Sequence, residues 1–401
     1  MKRILGVVVC MAMPCWAAGP LFAEMGSMSV STAGAGSAAI AEGAETAFSN
    51  PAGMVRFSRP AWAVQSQMVS SSIHYQDNGS SGLFAQGSDG GDAGTTALAA
   101  GLYWVQPLNR EWAFGLSLAS RGGSALDYGS DFRGALLVTE FDLLSLQVNP
   151  SIAYAITPNW SLALGVALEY ARLEETLGIP ETQRQLFVEG DSWNMGINLG
   201  LMYQFNHDHR LGVSFRMKAD HQFEGRASLN GRDGEVADSV NFPFPATAVL
   251  SGVHEFHYLS VLWNFGYTWL DVLDTTTYEL NERPVREIDR QWQDTWNGAL
   301  GVHVPLNRYW RLEFGIGYEQ SPQDDPAYQY PDLPVDTFIR YGLGASYRFD
   351  DHWRAQLFYE YLDAGEPLID RAFGDQGQLG RFSGQWNNAI EFIGLAVNFR
   401  Y

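Results

Sequence analysis

After Pro60, large apolar side chains occupy every second position through most of the chain. Trp160, Leu162, Leu164, Val166, Leu168 and Tyr170 alternate with Ser, Ala and Gly. Trp193, Met195, Ile197, Leu199, Leu201 and Tyr203 alternate with Asn194, Gly196, Asn198 and Gly200. The same period runs through 211–217, 261–269, 310–318, 339–349 and 353–361, and again from Asn388 to Tyr401. A period of two predicts strands with one apolar and one wet face.

Aromatic residues stand at the ends of these apolar faces. A lipid-facing strand has this form: an apolar band edged by aromatic girdles, with small or polar residues toward a lumen. A soluble sandwich also alternates, but its buried face is not banded by Trp and Tyr. Less regular strands are predicted near 61–74, 95–106, 112–121, 141–157, 246–254 and 294–305, giving fourteen in all. Short connections (107–111, 157–159, 206–209, 255–257, 306–309, 350–352) alternate strictly with long ones (75–93, 122–140, 172–192, 219–245, 271–293, 320–336, 363–388). Tight periplasmic turns and long outer loops produce that alternation. Closure removes every sheet edge, as hydrocarbon requires. The expected fold is all-β: a 14-stranded antiparallel transmembrane β-barrel.

Residues 24–59 break the pattern, being rich in Gly, Ala and Ser and free of alternation. A fourteen-strand barrel is too wide for side chains alone to fill. This stretch is therefore expected to fold inside the lumen as a hatch ahead of the barrel at 60–401. Ile40, Phe48, Asn50, Pro51, Ala52, Met54 and Phe57 are its candidate substrate-binding residues. Pro51 should hold Asn50 extended. Residues 1–23 read as a secretory signal, with Lys2 and Arg3 before an apolar run and Ala17, Ala18 and Ala23 as cleavage candidates. Both cysteines, Cys10 and Cys15, lie within it, so thiol chemistry and disulfides are excluded from the mature chain. The chain carries 25 basic and 45 acidic residues, a formal charge of −20, which argues against nucleic acid as a partner.

Several stretches resemble the outer-membrane long-chain fatty acid transporters of the FadL/TodX type. They are Ala47-Phe48-Ser49-Asn50-Pro51-Ala52-Gly53-Met54, N-P-S-I-A-Y at 149–154, Y-Q-F-N-H-D-H-R-L-G-V-S-F-R at 203–216, and W-Q-D-T-W-N-G-A-L-G at 292–301. The resemblance covers the mature chain. It implies a hatch-plugged barrel in the outer membrane of a Gram-negative bacterium, with no cofactor or metal and no enzymatic activity. It further implies that a hydrophobic ligand, a fatty acid or hydrocarbon, leaves sideways into the membrane at a kink in the third strand. That lateral gate maps to Gly122 and Gly123, which otherwise simply open the second outer loop. The implied surroundings are outer-membrane lipid, lipopolysaccharide and the barrel assembly machinery, with the chain a monomer. Loops 172–192 and 219–245 depart from the family, being only moderately apolar and polar, so an extended external groove is not expected.

Five lumen-side arginines, Arg216, Arg311, Arg340, Arg348 and Arg354, are candidates for meeting a ligand carboxylate, since a guanidinium suits bidentate carboxylate binding. The competing expectation is pairing with Glu169, Glu313, Glu319 and Glu360 along the wall. His207, Asp208 and His209 form a polar cluster, but in a short turn where polar residues are the default. No nucleophile-elbow or zinc-protease motif is present. The reading is passive outer-membrane transport of hydrophobic molecules. Its alternatives are an aromatic hydrocarbon channel, and a structural or adhesive barrel without transport.

Overall fold

The computed structural model describes residues 29–179, 184–229 and 236–401. The signal expected at 1–23 and the first five hatch positions lie outside these residues. Fourteen strands form the wall. In chain order they are β1 (Ala61–Asp77), β2 (Thr96–Pro107), β3 (Trp112–Ala119), β4 (Val138–Ala155), β5 (Trp160–Ile179), β6 (Arg184–Gln204) and β7 (His209–Arg216). They continue as β8 (Thr247–Glu255), β9 (Ser260–Thr268), β10 (Thr295–Pro305), β11 (Trp310–Glu319), β12 (Phe338–Arg348), β13 (Trp353–Asp363) and β14 (Gly380–Arg400). Each pairs antiparallel with its sequence neighbours, and β1 pairs with β14 from Ala61↔Arg400 to Asp77↔Gly384, closing the barrel.

Two belts of aromatic pairs ring the outer surface. At the short-turn end Trp112 packs on Tyr154, Trp160 on Tyr203, Trp310 on Tyr347 and Trp353 on Phe399, with centroids 4.4–4.8 Å apart. At the other end Tyr170 packs on Trp193 and Trp296 on Tyr318. Ten residues separate Trp160 from Tyr170. At about 3.3 Å per residue and a tilt near 40°, that spans about 25 Å, the height of a membrane-facing band. Leu162, Leu164, Val166 and Leu168 between them are exposed, as lipid contact demands.

The long outer connections are more ordered than their sequence implied. The loop expected at 172–192 is instead a continuation of β5 and β6, paired out to Ile179↔Arg184. The loop at 219–245 holds a hairpin, Gln222–Leu229 with Val236–Asn241. Its polar residues masked an inward set: Phe223, Val240, Phe242 and Phe244 are buried. They join Phe84, Tyr128, Phe141, Phe382 and Trp386 in an aromatic core that roofs the lumen. Arg290 and Asp332 form a buried ion pair within this roof.

Candidate functional site

Residues 29–57 sit inside the barrel. They form a single 3-10 turn at Val30–Thr32, a six-residue 3-10 helix at Pro51–Arg56 and a four-residue α-helix at Thr46–Ser49. Asn50 is extended (φ −154°, ψ 96°), the conformation Pro51 imposes. Its Nδ2 donates to the carbonyls of Ala38 (2.6 Å) and Leu201 (3.1 Å), and its Oδ1 accepts from the Ala52 N–H (3.1 Å). One side chain thus ties two hatch segments to β6. The wall makes room for it: a Cβ at Gly200 would lie 2.2 Å from Asn50 Oδ1, and one at Gly212 would lie 1.9 Å from the Ala38 carbonyl oxygen. Ala52 and Met54 are fully buried against the wall, and Phe57 lies under Arg400. Ile40 packs beside Val253 and Leu262. The hatch residues proposed from sequence are therefore gathered into the plug and its seat.

Charged groups lock that seat. Glu42 accepts from Arg311 Nη1 at 2.6 Å and from Arg354 Nη1 at 2.7 Å. Arg311 also holds Glu313 (2.8 Å), whose other oxygen accepts from Ser31 and Gln356. Arg210 donates to the carbonyls of Ala39 (2.7 Å) and Ile40 (2.8 Å). Burial alone would raise the Glu42 carboxyl, but Arg311 and Arg354 beside it hold it well below the usual carboxylate range. Glu45, three residues on, has no such partner set, and burial pushes it up to about 7. Both carboxylates line a small chamber of about 30 Å³ that Ile40, His303 and Gln356 also line.

The five arginines separate into roles. Arg311 and Arg354 clamp the hatch through Glu42. Arg340 pairs with Glu360 along the wall at 2.6 Å. Arg216 lies over the Phe48 ring (4.4 Å), donates to its carbonyl (2.9 Å) and reaches Gln147. Arg348 is exposed at the short-turn end, beside Asp350 and Asp351. The clamp carboxylate was missed in the sequence, where Glu42 is one acid among small residues. His207 Nδ1 lies 3.0 Å from the carboxylate of Asp208 in an exposed turn. Among the described residues no group of three or more His, Cys, Asp or Glu side chains is placed to hold a metal ion.

Gly122 and Gly123 lie where the wall breaks. Ala119 faces Gln147, and Gly123 faces Leu144, so three residues (120–122) oppose two (145–146). This is a one-residue bulge. It switches the lumen-facing set from odd positions in β3 to Ser124 and Leu126 in the continuation Gly123–Asp127. One hydroxyl holds it: Ser145 Oγ accepts from the N–H groups of Arg121 and Gly122 and donates to the Gly122 carbonyl (2.7 Å). Arg121 turns into the lumen, 3.7 Å from Glu169, and donates to the Met217 and Pro245 carbonyls. On the other side, pairing between β2 and β3 stops at Gly101↔Ala119. Among the described residues, Thr96–Ala100 has ladder partners only on β1.

Beside this break lies an apolar cleft beneath the roof, about 50 Å³ in volume and open on one side. Ile73, Leu126, Leu333, Val335, Phe338 and Ile390 wall it, with Ser71, Ser124, Asp332 and Asn388 as its polar members. Segment 329–336 covers it. That segment is held by Tyr128 donating to the Pro331 carbonyl (3.0 Å) and by Gln329 donating to the Val335 carbonyl (2.7 Å).

Comparison with known proteins gives concordant matches. The family described as outer membrane protein transport protein (OMPP1/FadL/TodX) matches residues 8–401. The long-chain fatty acid transport protein of Escherichia coli O6:H1 is 23% identical, over 97% of this chain and 98% of its own. Outer membrane protein P1 of Haemophilus influenzae is 26% identical, over 85% of this chain and 84% of its own. Among solved structures, a Pseudomonas aeruginosa FadL homologue superposes with a TM-score of 0.86 at 20% identity, covering 96% of this chain and 99% of its own. The P. putida toluene transporter TodX gives 0.70 at 16% identity, covering 90% and 94%.

Proposed function

Because the chain belongs to the OMPP1/FadL/TodX family of outer membrane transport proteins, we propose that it passes hydrophobic molecules from the cleft under its roof sideways into the bilayer through the break beside β3. It resides in the outer membrane of a Gram-negative cell and is not an enzyme. Its relatives are named for long-chain fatty acids and its structural neighbours for toluene. The ligand is accordingly a hydrophobic molecule. The barrel works as a monomer among lipid and lipopolysaccharide, after insertion by the barrel assembly machinery.

One observation carries this reading: an apolar cleft abuts a stretch of wall that has lost its ladder. Thr96–Ala100 is five residues, about 16 Å of strand edge without a β3 partner. In hydrocarbon an unpaired edge is costly and persists where it lines a protected path. Ser124 and Leu126 belong both to the continuation beyond the break and to the cleft, so ligand and opening share a wall. The seated hatch closes the axial route, which leaves the lateral one.

The test is deletion of Gly122. Removing one residue makes the two sides of the bulge equal. The register of Ala119↔Gln147 then runs on without a switch, and the residues now at 124 and 126 still face the lumen. Uptake of radiolabelled toluene should fall at least tenfold, while the folded barrel keeps its heat-modifiable migration. Undiminished uptake by a folded deletion protein would refute the lateral route.

A further inference from the structure

We infer that the cleft beneath the roof selects uncharged hydrophobic molecules bearing a hydrogen-bond donor, a hydroxyl above all, and that Asn388 reads that donor. The inference rests on the cleft being the ligand site proposed above, and it adds the head-group chemistry.

Asn388 faces inward on β14, is 6% exposed and lines the cleft. Its Nδ2 donates to the Pro334 carbonyl at 3.3 Å. A carbonyl can only accept, so the atom turned toward it must be the nitrogen, and the amide orientation is fixed. That leaves Oδ1 as the other end. Oδ1 is buried and has no hydrogen-bond partner among the described residues. A buried orphan acceptor carries the full desolvation cost of its lost water, which a donor from a ligand would recover.

Two of the other three polar members, Asp332 and Ser71, are already engaged, and the third, Ser124, is a hydroxyl. Both Asp332 oxygens accept from Arg290, through Nη1 at 2.9 Å and Nη2 at 2.5 Å. Ser71 Oγ is engaged with the backbone of Thr95, accepting at 3.0 Å from its N–H and donating at 3.3 Å to its carbonyl. No lining side chain among the described residues is cationic. A carboxylate in the cleft would therefore face an amide oxygen, with no unpaired cation to replace its hydration. A hydroxyl gives Oδ1 the proton it lacks while its alkyl tail lies on Ile73, Leu126, Leu333 and Phe338.

The experiment is equilibrium dialysis of the detergent-solubilised full barrel against radiolabelled 1-decanol, decane, and decanoate at pH 8, with protein-free micelles subtracted. The expected order is decanol about fivefold tighter than decane, the size of one net hydrogen bond, with decanoate weakest. Asn388→Leu should bring decanol to the level of decane. If that variant fails to show the heat-modifiable folded form, Asn388→Ala carries the same comparison. Decanoate binding as tightly as decanol overturns the inference, as does an undiminished decanol preference in the folded variant. Decane bound without any preference for the alcohol sinks this inference alone. Absence of binding by all three compounds sinks the ligand-site reading with it.

Discussion

Replacing Glu42 with Ala should unseat the hatch without opening the barrel wall. In the folded protein this carboxylate takes two charge-assisted hydrogen bonds, from Arg311 at 2.6 Å and Arg354 at 2.7 Å. Hydrogen bonds to charged groups contribute about 1.5–3 kcal/mol each. Two corrections lower their sum. The Glu42 side chain is 26% exposed and its partners 20% and 23%, so solvent screens part of the attraction. Arg311 also keeps Glu313 at 2.8 Å after the substitution. A loss of about 2–3 kcal/mol remains, which multiplies the unseated population by about 30- to 150-fold.

Amide hydrogen exchange read on peptides covering residues 38–50 measures that population directly, since local opening sets exchange in a seated segment. Exchange there should accelerate by the same factor, with Glu42→Gln intermediate because its amide oxygen still accepts one bond. Peptides from the roof strand Gln222–Leu229, which packs away from the hatch, serve as the internal control. If the Ala variant exchanged at the wild-type rate across 38–50 while the control matched, the clamp would not hold the hatch.

Two further outcomes are expected. Leu164→Arg places a guanidinium on the lipid face, where the leucine is 44% exposed midway between the aromatic belts, and should cost about 2–4 kcal/mol in folding titrations into lipid vesicles; an unchanged midpoint would contradict the assigned face. Glu45 binds its proton more tightly when seated, at about 7, than in the unfolded chain near 4.5. Its contribution to seating is therefore fully present below about pH 4.5 and is lost as pH rises to about 7, so protection of the 44–49 amides, corrected for intrinsic exchange, should fall across that window and level off above it. In Glu45→Gln the fall should disappear.

The wall was legible because lipid imposes a strict rule on it. Every outward position from Trp160 to Tyr170 must be apolar, so period and face could be read without neighbours. The plug was legible by contrast, as the one long stretch without that period. The seat was not, because its partners are remote in sequence: Glu42 meets Arg311 and Arg354, and Ser31 meets Glu313. Nothing local marks Glu42 as different from Glu45, yet two arginines separate their electrostatics. The roof was misread for a related reason. In 219–245 polar residues outnumber apolar ones, while the hairpin turns Phe223 and Val240 inward and leaves their polar neighbours outside. Ser145 and Asn388 each matter through one atom, Oγ and Oδ1, whose surroundings only the folded chain assembles.

The seam between β1 and β14 fixes the order in which this molecule can be made. It joins Ala61 to Arg400 and continues through all 17 residues of β1. Contacts separated by more than three hundred positions form late, because the intervening loop must first be ordered. Until the last strand arrives, β1 has only β2 beside it. The hatch waits even longer than its early synthesis implies, since its clamps stand on β11 and β13. The chain must therefore hold an unseated N-terminal stretch within a curling, open sheet and then shut the seam around it. Once the seam is shut, the hatch cannot cross the wall, and any later seating must come along the barrel axis.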